Sequence, residues 1–317
     1  PPEDCCCCCC CPPASAPGCG PAALAASYIF EEASFQIFSS SSFFSLIPEF
    51  ALTASSSAFV AASIFAFLVC GLLLVTVALC YAELGSMFGR NGAAYVYARE
   101  AFGPVIGFGV GWIAWVTAIF SWATVANGIS TYLTYFHPIF EEPMMVKVAA
   151  CGLILFFGTI NYFGIKPGAI TVNIFTLSKL LPLTFFIVVG LLHLNGTHFK
   201  NALEINFTHF GSAIFLCLWP LQGFETAPVA AGETRNPKRD IPIATLGSLL
   251  FVIVFYTLIQ VVAVGTLAGL SEAKKPLADA AATFLGPWGA TFLALGAVIS
   301  MTGYCSGNAL GSPRFLQ

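Results

Sequence analysis

Residues 218–242 read LWPLQGFETAPVAAGETRNPKRDIP. The stretch opens as apolar as a membrane span and closes as a basic loop punctuated by proline. Between those ends stand Pro220, Gln222, Gly223 and Glu225, residues that an uninterrupted membrane helix avoids. About eight helix-forming residues lead up to Trp219. Pro220 then lacks a backbone N–H and its ring clashes with the preceding turn. Gly223 comes three residues later, where a freely rotating backbone costs least. Together they predict a helix that opens near the middle of a bilayer. Irregular backbone survives there only if it is buried in protein or lines a wet cavity. The residues alone leave two readings open: a discontinuous helix of the kind that carries substrate sites in secondary transporters, or a proline kink without a ligand.

The rest of the chain sets this stretch in a membrane. Of its 317 residues 58% are hydrophobic, 14% aromatic and only 9% charged, and the mean hydropathy is +0.86. Soluble domains carry about 25% charged residues. Crossing the ~30 Å hydrocarbon core takes about 20 helical residues. Apolar runs of that order recur at 58–82, 104–131, 145–164, 170–192, 211–232 (interrupted), 243–267 and 285–310. Only helices and closed barrels satisfy their backbone in lipid, and runs without period-two alternation favour helices. The expected fold class is therefore an all-α polytopic membrane protein. The net charge of −3 says nothing for a nucleic-acid partner. No Ser/His/Asp arrangement, phosphate-cradling glycine loop or metal-ligand spacing points to an enzyme or a bound cofactor. His193, His198 and His209 share one connection, but their spacing does not favour a metal.

Residues 1–57 differ in character from the remainder of the chain, and the expected division is 1–57 as a low-complexity segment and 58–317 as the transmembrane domain. The first part combines the run Cys5–Cys11, a Pro/Ala/Gly stretch and the serine tract FSSSSFFSL. Such text does not specify a packed core; it reads as disordered or as the product of an imperfect gene model. Adjacent cysteines poorly satisfy disulfide or tetrahedral metal geometry. Cys70, Cys80, Cys151, Cys217 and Cys305 stand singly in apolar spans, as small hydrophobes do. The chain begins without Met and stops at Gln317 inside a helical pattern, so it reads as a fragment.

Charge sets the orientation. The connections at 83–103, 165–169, 233–242 and after 310 hold Arg90, Arg99, Lys166, Arg235, Lys238, Arg239 and Arg314. The alternate connections, with the start of the third span, hold Lys147, Lys200, Lys274 and Lys275. Seven against four places the first set in the cytoplasm. The sequons at Asn195 and Asn206 both fall in 193–210, which is expected to be extracellular in a plasma-membrane protein. A cytoplasmic N-terminus would need one more span before 58–82, and residues 28–50 make a poor one.

Several stretches, in order, resemble the amino acid–polyamine–organocation transporters. The run GFE and then GETRNPKRDIP (223–242) resembles the sixth helix and adjoining loop of that superfamily. YAELGSMFGRNGAAYVYAREAFG (81–103) resembles its second-to-third helix loop, NYFGIKPGAITVNIFTLSKLLPL (161–183) its fourth and fifth helices, and SGNALGSPRFL (306–316) the end of its eighth. The resemblance covers roughly 58–317 and implies helices two to eight of a LeuT-like five-plus-five inverted-repeat fold, incomplete at both ends. The superfamily's glycine-rich first-helix break has no counterpart, since no glycine lies between Gly20 and Gly71. The implied function is secondary active transport of amino acids or related amines by alternating access, coupled to protons, as symporter or antiporter. A non-transporting membrane protein derived from a permease, or a channel, are the alternatives.

The resemblance implies substrate contacts from Trp219, Leu221, Gln222, Gly223 and Phe224. Trp219 and Phe224 would stack on substrate or gate it, or simply pack. Pro220 and Glu225 are expected to be structural, Glu225 bracing freed N–H groups rather than titrating. Lys179 lies about nine residues into its span, ~13 Å deep at 1.5 Å per residue. An ionisable group at that depth is expensive and points to function. It matches a fifth-helix lysine that replaces a coupling sodium ion in some members, so Lys179 is the expected proton carrier; a snorkelling lysine in a shifted helix is the alternative. Ser300 and Thr302 are candidate neighbours of a cation site, although helix hydroxyls more often bond their own backbone. Gly103, Gly107 and Gly111 form a stripe that lets helices approach closely.

Overall fold

A computed structural model describes residues 57–316 apart from 164, 204–206, 235, 271–272 and 274. The segment 1–56, the 28–50 stretch, the Cys5–Cys11 run, Asn206, Arg235 and Lys274 therefore lie outside the described residues. The described chain is helical, with no strand among the described residues. In order it forms α1 (Ser57–Met87), α2 (Ala94–Phe102), α3 (Pro104–Leu133), α4 (Pro143–Tyr162), α5 (Ile165–Leu191) and α6 (Phe207–Leu221). A 3-10 helix (Phe224–Glu233), α7 (Pro237–Thr266) and α8 (Pro276–Gly311) follow, and shorter 3-10 helices lie at Pro138–Glu141, Gly196–Leu203 and Ser312–Leu316.

Six of the described helices are long and apolar enough to cross a membrane: α1, α3, α4, α5, α7 and α8. The seventh expected span is the interrupted one, split between α6 and the 3-10 helix. Proline opens α3, α4, α7 and α8 at N1 or N2, where its missing N–H costs nothing. Gly286, at φ 69°, breaks α8, so residues 276–285 form a separate helical piece and the span proper starts near 287.

Burial divides the helices. In the most apolar part of α7, 61% of residues are inside the protein, against 11% for α3 and for α4. α7 is thus the central helix, and α3 and α4 present their apolar faces outward. One core joins α1, α5, α6, α7 and the start of α8 through Phe67, Phe186, Leu221, Phe224, Leu249 and Val262. A second joins α3, α4 and α8 through Ile129, Phe157, Met301 and Tyr304. Between α1 and α7, the buried Gln260 Nε2 donates to the Ser63 Oγ at 2.6 Å. Interhelical bonds of this kind contribute about 0.6–1.7 kcal/mol in a bilayer. Gln260→Leu should therefore lower stability by that order, read as an earlier midpoint in SDS unfolding from mixed micelles.

The glycine stripe serves a helix that composition hides. Arg99 and Glu100 make α2 too polar to register as an apolar run, yet it folds back on the start of α3. A Cβ on Gly107 would stand 2.6 Å from the Arg99 Cβ and 2.8 Å from its Cα, and one on Gly111 3.1 Å from the Tyr95 ring. Gly109, on the same helix, has nothing within 4 Å. Gly107→Val should cost about 1–3 kcal/mol by overpacking, while Gly109→Val should be close to neutral. Thermal unfolding of the two variants side by side checks the difference.

The connections gather at two ends. At one, Gly92 bonds to Val229, Asn91 to Gly232, and Gly89 lies against Pro237. At the other, the Asn195 N–H donates to the Gly265 carbonyl at 2.9 Å, and the Lys275 ammonium sits 5.0 Å over the Tyr135 ring. The first end collects connections of the more basic set.

Candidate functional site

The interruption falls at Gln222 and Gly223. α6 ends at Leu221, one residue after Pro220. The Gln222 N–H is shared between the Leu218 and Trp219 carbonyls, at 3.1 and 3.3 Å. Gly223 then takes φ 127°, ψ −30°, a conformation closed to residues with a Cβ. The corner is locally bonded. The Gly223 N–H donates to the Glu225 Oε2 at 2.7 Å. The Gly223 carbonyl accepts from the Thr226 N–H at 2.9 Å and from its hydroxyl at 2.8 Å. A carboxylate two residues past the break thus takes a donor that the broken ladder releases.

Side chains around the corner point in two directions. Leu221 and Phe224 are 0% and 2% exposed and belong to the main core. Trp219 is 43% exposed, and Gln222 is exposed. The five residues expected to contact substrate therefore divide: Trp219 and Gln222 open outward, the Gly223 backbone forms the corner, and Leu221 and Phe224 hold it from behind. The edge of Tyr81 in α1 meets the Phe224 ring at 6.1 Å, and Tyr97 in α2 meets Tyr81 at 6.2 Å. Burial pushes the Tyr97 phenol up, with Tyr81 adding to it, and its hydroxyl has no hydrogen-bond partner among the described residues.

Sequence reasoning missed the groups around Glu225. Tyr81 and Tyr304 both lie within electrostatic reach of its carboxylate. The Tyr304 hydroxyl also contacts the Ser121 Oγ, tying α8 to α3. A signal was available, because Ser300, Tyr304 and Asn308 recur every fourth residue along one face of an otherwise apolar span.

Lys179 sits in the middle of α5, 2% exposed. α5 and α8 pack closely: a Cβ on Gly296 would stand 2.9 Å from the Pro182 Cβ, and one on Gly303 2.8 Å from the Phe175 Cβ. In that antiparallel register Lys179 lies level with Ile299 and Ser300. The Ser300 hydroxyl is buried without a hydrogen-bond partner among the described residues. It lines a cavity of about 30 Å³, together with Tyr132, Pro182, Leu293 and Gly296, large enough for a water molecule. Thr302 differs, since its hydroxyl donates to the Val298 carbonyl of its own helix at 2.8 Å. The structure thus brings Lys179 and Ser300 to one level and turns Thr302 to its own backbone.

A membrane helix opened at a proline and a glycine is a feature found at the substrate sites of secondary transporters. Over residues 30–317 the chain matches the amino acid permease family, and it belongs to that family. It is 31% identical to the b(0,+)-type amino acid transporter 1 of Mus musculus over 201 residues, 61% of this chain and 41% of that protein. The rabbit protein of the same name, from Oryctolagus cuniculus, is 32% identical over the same shares. The serine/threonine exchanger SteT of Bacillus subtilis is 28% identical over 265 residues, 80% of this chain and 58% of that protein. The chain spans about half the length of the curated relatives it matches. These relatives are transporters, not enzymes.

Proposed function

We propose that the chain acts in secondary active transport, carrying amino acids or related amines across a membrane by alternating access with a proton as the coupling ion. The observation that carries this reading is the break at Gln222–Gly223 within a permease-family chain. At such a break the two half-helices present opposite partial charges. The substrate carboxylate would take N–H groups at the start of residues 224–233, and its ammonium the carbonyls at the end of α6. Trp219 and Gln222, which open outward, would meet the rest of the substrate. Glu225, bonded to Gly223, would keep the corner shaped between cycles. Lys179 is the proposed proton carrier: its amine takes and releases a proton as the site is exposed to water on one side and then the other. Ser300, level with it, would complete the polar lining, and Thr302, bonded to its own helix, would lie behind it. The relatives' names speak for amino acids as the substrate class. The charge distribution supports a plasma-membrane orientation with 193–210 outside and 233–242 in the cytoplasm.

Uptake of labelled amino acids into proteoliposomes containing the chain tests this. The expected result is saturable uptake that an inward proton gradient increases. Absence of uptake by folded protein would favour a non-transporting membrane protein derived from a permease, and flux that never saturates would favour a channel.

A further inference from the structure

The 3-10 helix Phe224–Glu233 is a weak element. It runs for ten residues, whereas bonds in such helices are poorly aligned and runs beyond three or four residues are uncommon. Its position therefore depends on what it packs against. Near the break that is the core behind Phe224. At its far end it is α7 and the turn 88–93, between α1 and α2. The Gly92 N–H donates to the Val229 carbonyl at 3.1 Å, and the Asn91 Oδ1 accepts from the Gly232 N–H at 2.9 Å. Close by, Pro228 lies over Gly85, where a Cβ would come within 3.3 Å of it.

The turn that supplies these bonds is itself under strain. Gly92 takes φ 112° and Ala93 φ 40°, and positive φ is uncommon for an alanine. Such geometry persists only where the surroundings over-determine it, and it concentrates in switch regions. Ala93 and Val229 are 2% and 4% exposed, so the Gly92 bond is shielded from water. The fit at Gly232 leaves no slack, because a Cβ there would stand 2.9 Å from the Asn91 Oδ1 and 3.3 Å from its backbone N.

We propose that Asn91 is a positioning residue: with Gly92 it latches the far half of the broken helix to the end of α1, and release of these two hydrogen bonds opens the site toward the basic end of the bundle. The proposal rests on reading the broken helix as the moving part of a transport site. A strained turn joined to a poorly bonded helix by two specific bonds is a joint that can be released locally, as a gate requires. A side-chain acceptor also lets one substitution loosen the latch without touching the core.

Hydrogen–deuterium exchange of the full chain in lipid nanodiscs tests it. Asn91→Ala should raise exchange in the peptide 224–234 about fivefold, the effect of one lost hydrogen bond. Asn91→Asp keeps the acceptor oxygen and should remain within about twofold of wild type. Gly232→Ala, which crowds Asn91 from the other side, should behave like Asn91→Ala. In both loosened variants a cysteine replacing Val229 should react faster with a membrane-impermeant maleimide added at the basic end. Unchanged exchange at 224–234 in Asn91→Ala would overturn the latch, and so would an equal rise throughout α1 and α7. None of these readouts needs transport. A released latch in a protein that carries no substrate contradicts only the functional reading, and an unmoved latch in an active protein contradicts only this one.

Discussion

Replacing Gly223 by valine should reduce amino acid uptake about fivefold or more at equal reconstituted protein. At φ 127°, ψ −30° a β-branched side chain meets the adjoining backbone, and holding a residue in such a region costs about 1–3 kcal/mol. That range corresponds to about five- to 150-fold in the population of the native corner. Three bonds depend on the corner: the Gly223 N–H to Glu225, and the Thr226 N–H and hydroxyl to the Gly223 carbonyl. Glu225→Gln keeps an acceptor oxygen and should retain most uptake, whereas Glu225→Leu leaves the N–H unpaired and should behave like Gly223→Val. Circular dichroism should find all three variants as helical as wild type, because α6 and the surrounding spans do not need the corner to form. Initial uptake rates compared across the series separate shape at the break from loss of fold.

The second large effect is expected at Lys179. A pH gradient of one unit carries about 1.4 kcal/mol per proton, which supports about tenfold accumulation of a substrate that moves with one proton. Lys179→Gln keeps a polar group level with Ser300 but cannot exchange a proton. Accumulation driven by the gradient should fall from about tenfold to about one, while exchange of labelled for unlabelled substrate without a gradient persists. Uptake in Lys179→Gln that still responds to the gradient would remove Lys179 from the coupling step. Ser300→Ala deletes an unpartnered buried hydroxyl and should leave stability unchanged or slightly improved, in keeping with the cost of an unpaired buried polar group.

What was legible in the sequence was local. Pro220 and Gly223 act on their own backbone, so the position of the break is set by their identity. The long spans are set by apolar length, with ends displaced where a proline at N1, as at Pro237, starts a helix inside a polar stretch. What stayed hidden depends on neighbours distant in the chain. α2 is short and amphipathic, and only its fit onto Gly107 and Gly111 reveals why the glycines recur. Tyr81 and Tyr304 look like ordinary membrane aromatics until Glu225 is placed within electrostatic reach of them. The division of the break into Leu221 and Phe224 facing the core and Trp219 and Gln222 facing out was likewise unreadable. Periodicity assigns faces only along a continuous helix, and here the helix stops. For Asn91 the residue type was no guide, because its partner is a backbone N–H well over a hundred residues away.

Substrate is proposed to bind at the break at Gln222–Gly223. Substrate protection measures this most directly. In Gln222→Cys, the rate of maleimide labelling at position 222 should slow about tenfold at saturating amino acid, with half the effect at the concentration that gives half-maximal uptake. A sugar at the same concentration should not slow it. A labelling rate at 222 that is indifferent to every amino acid tested would contradict binding at the break.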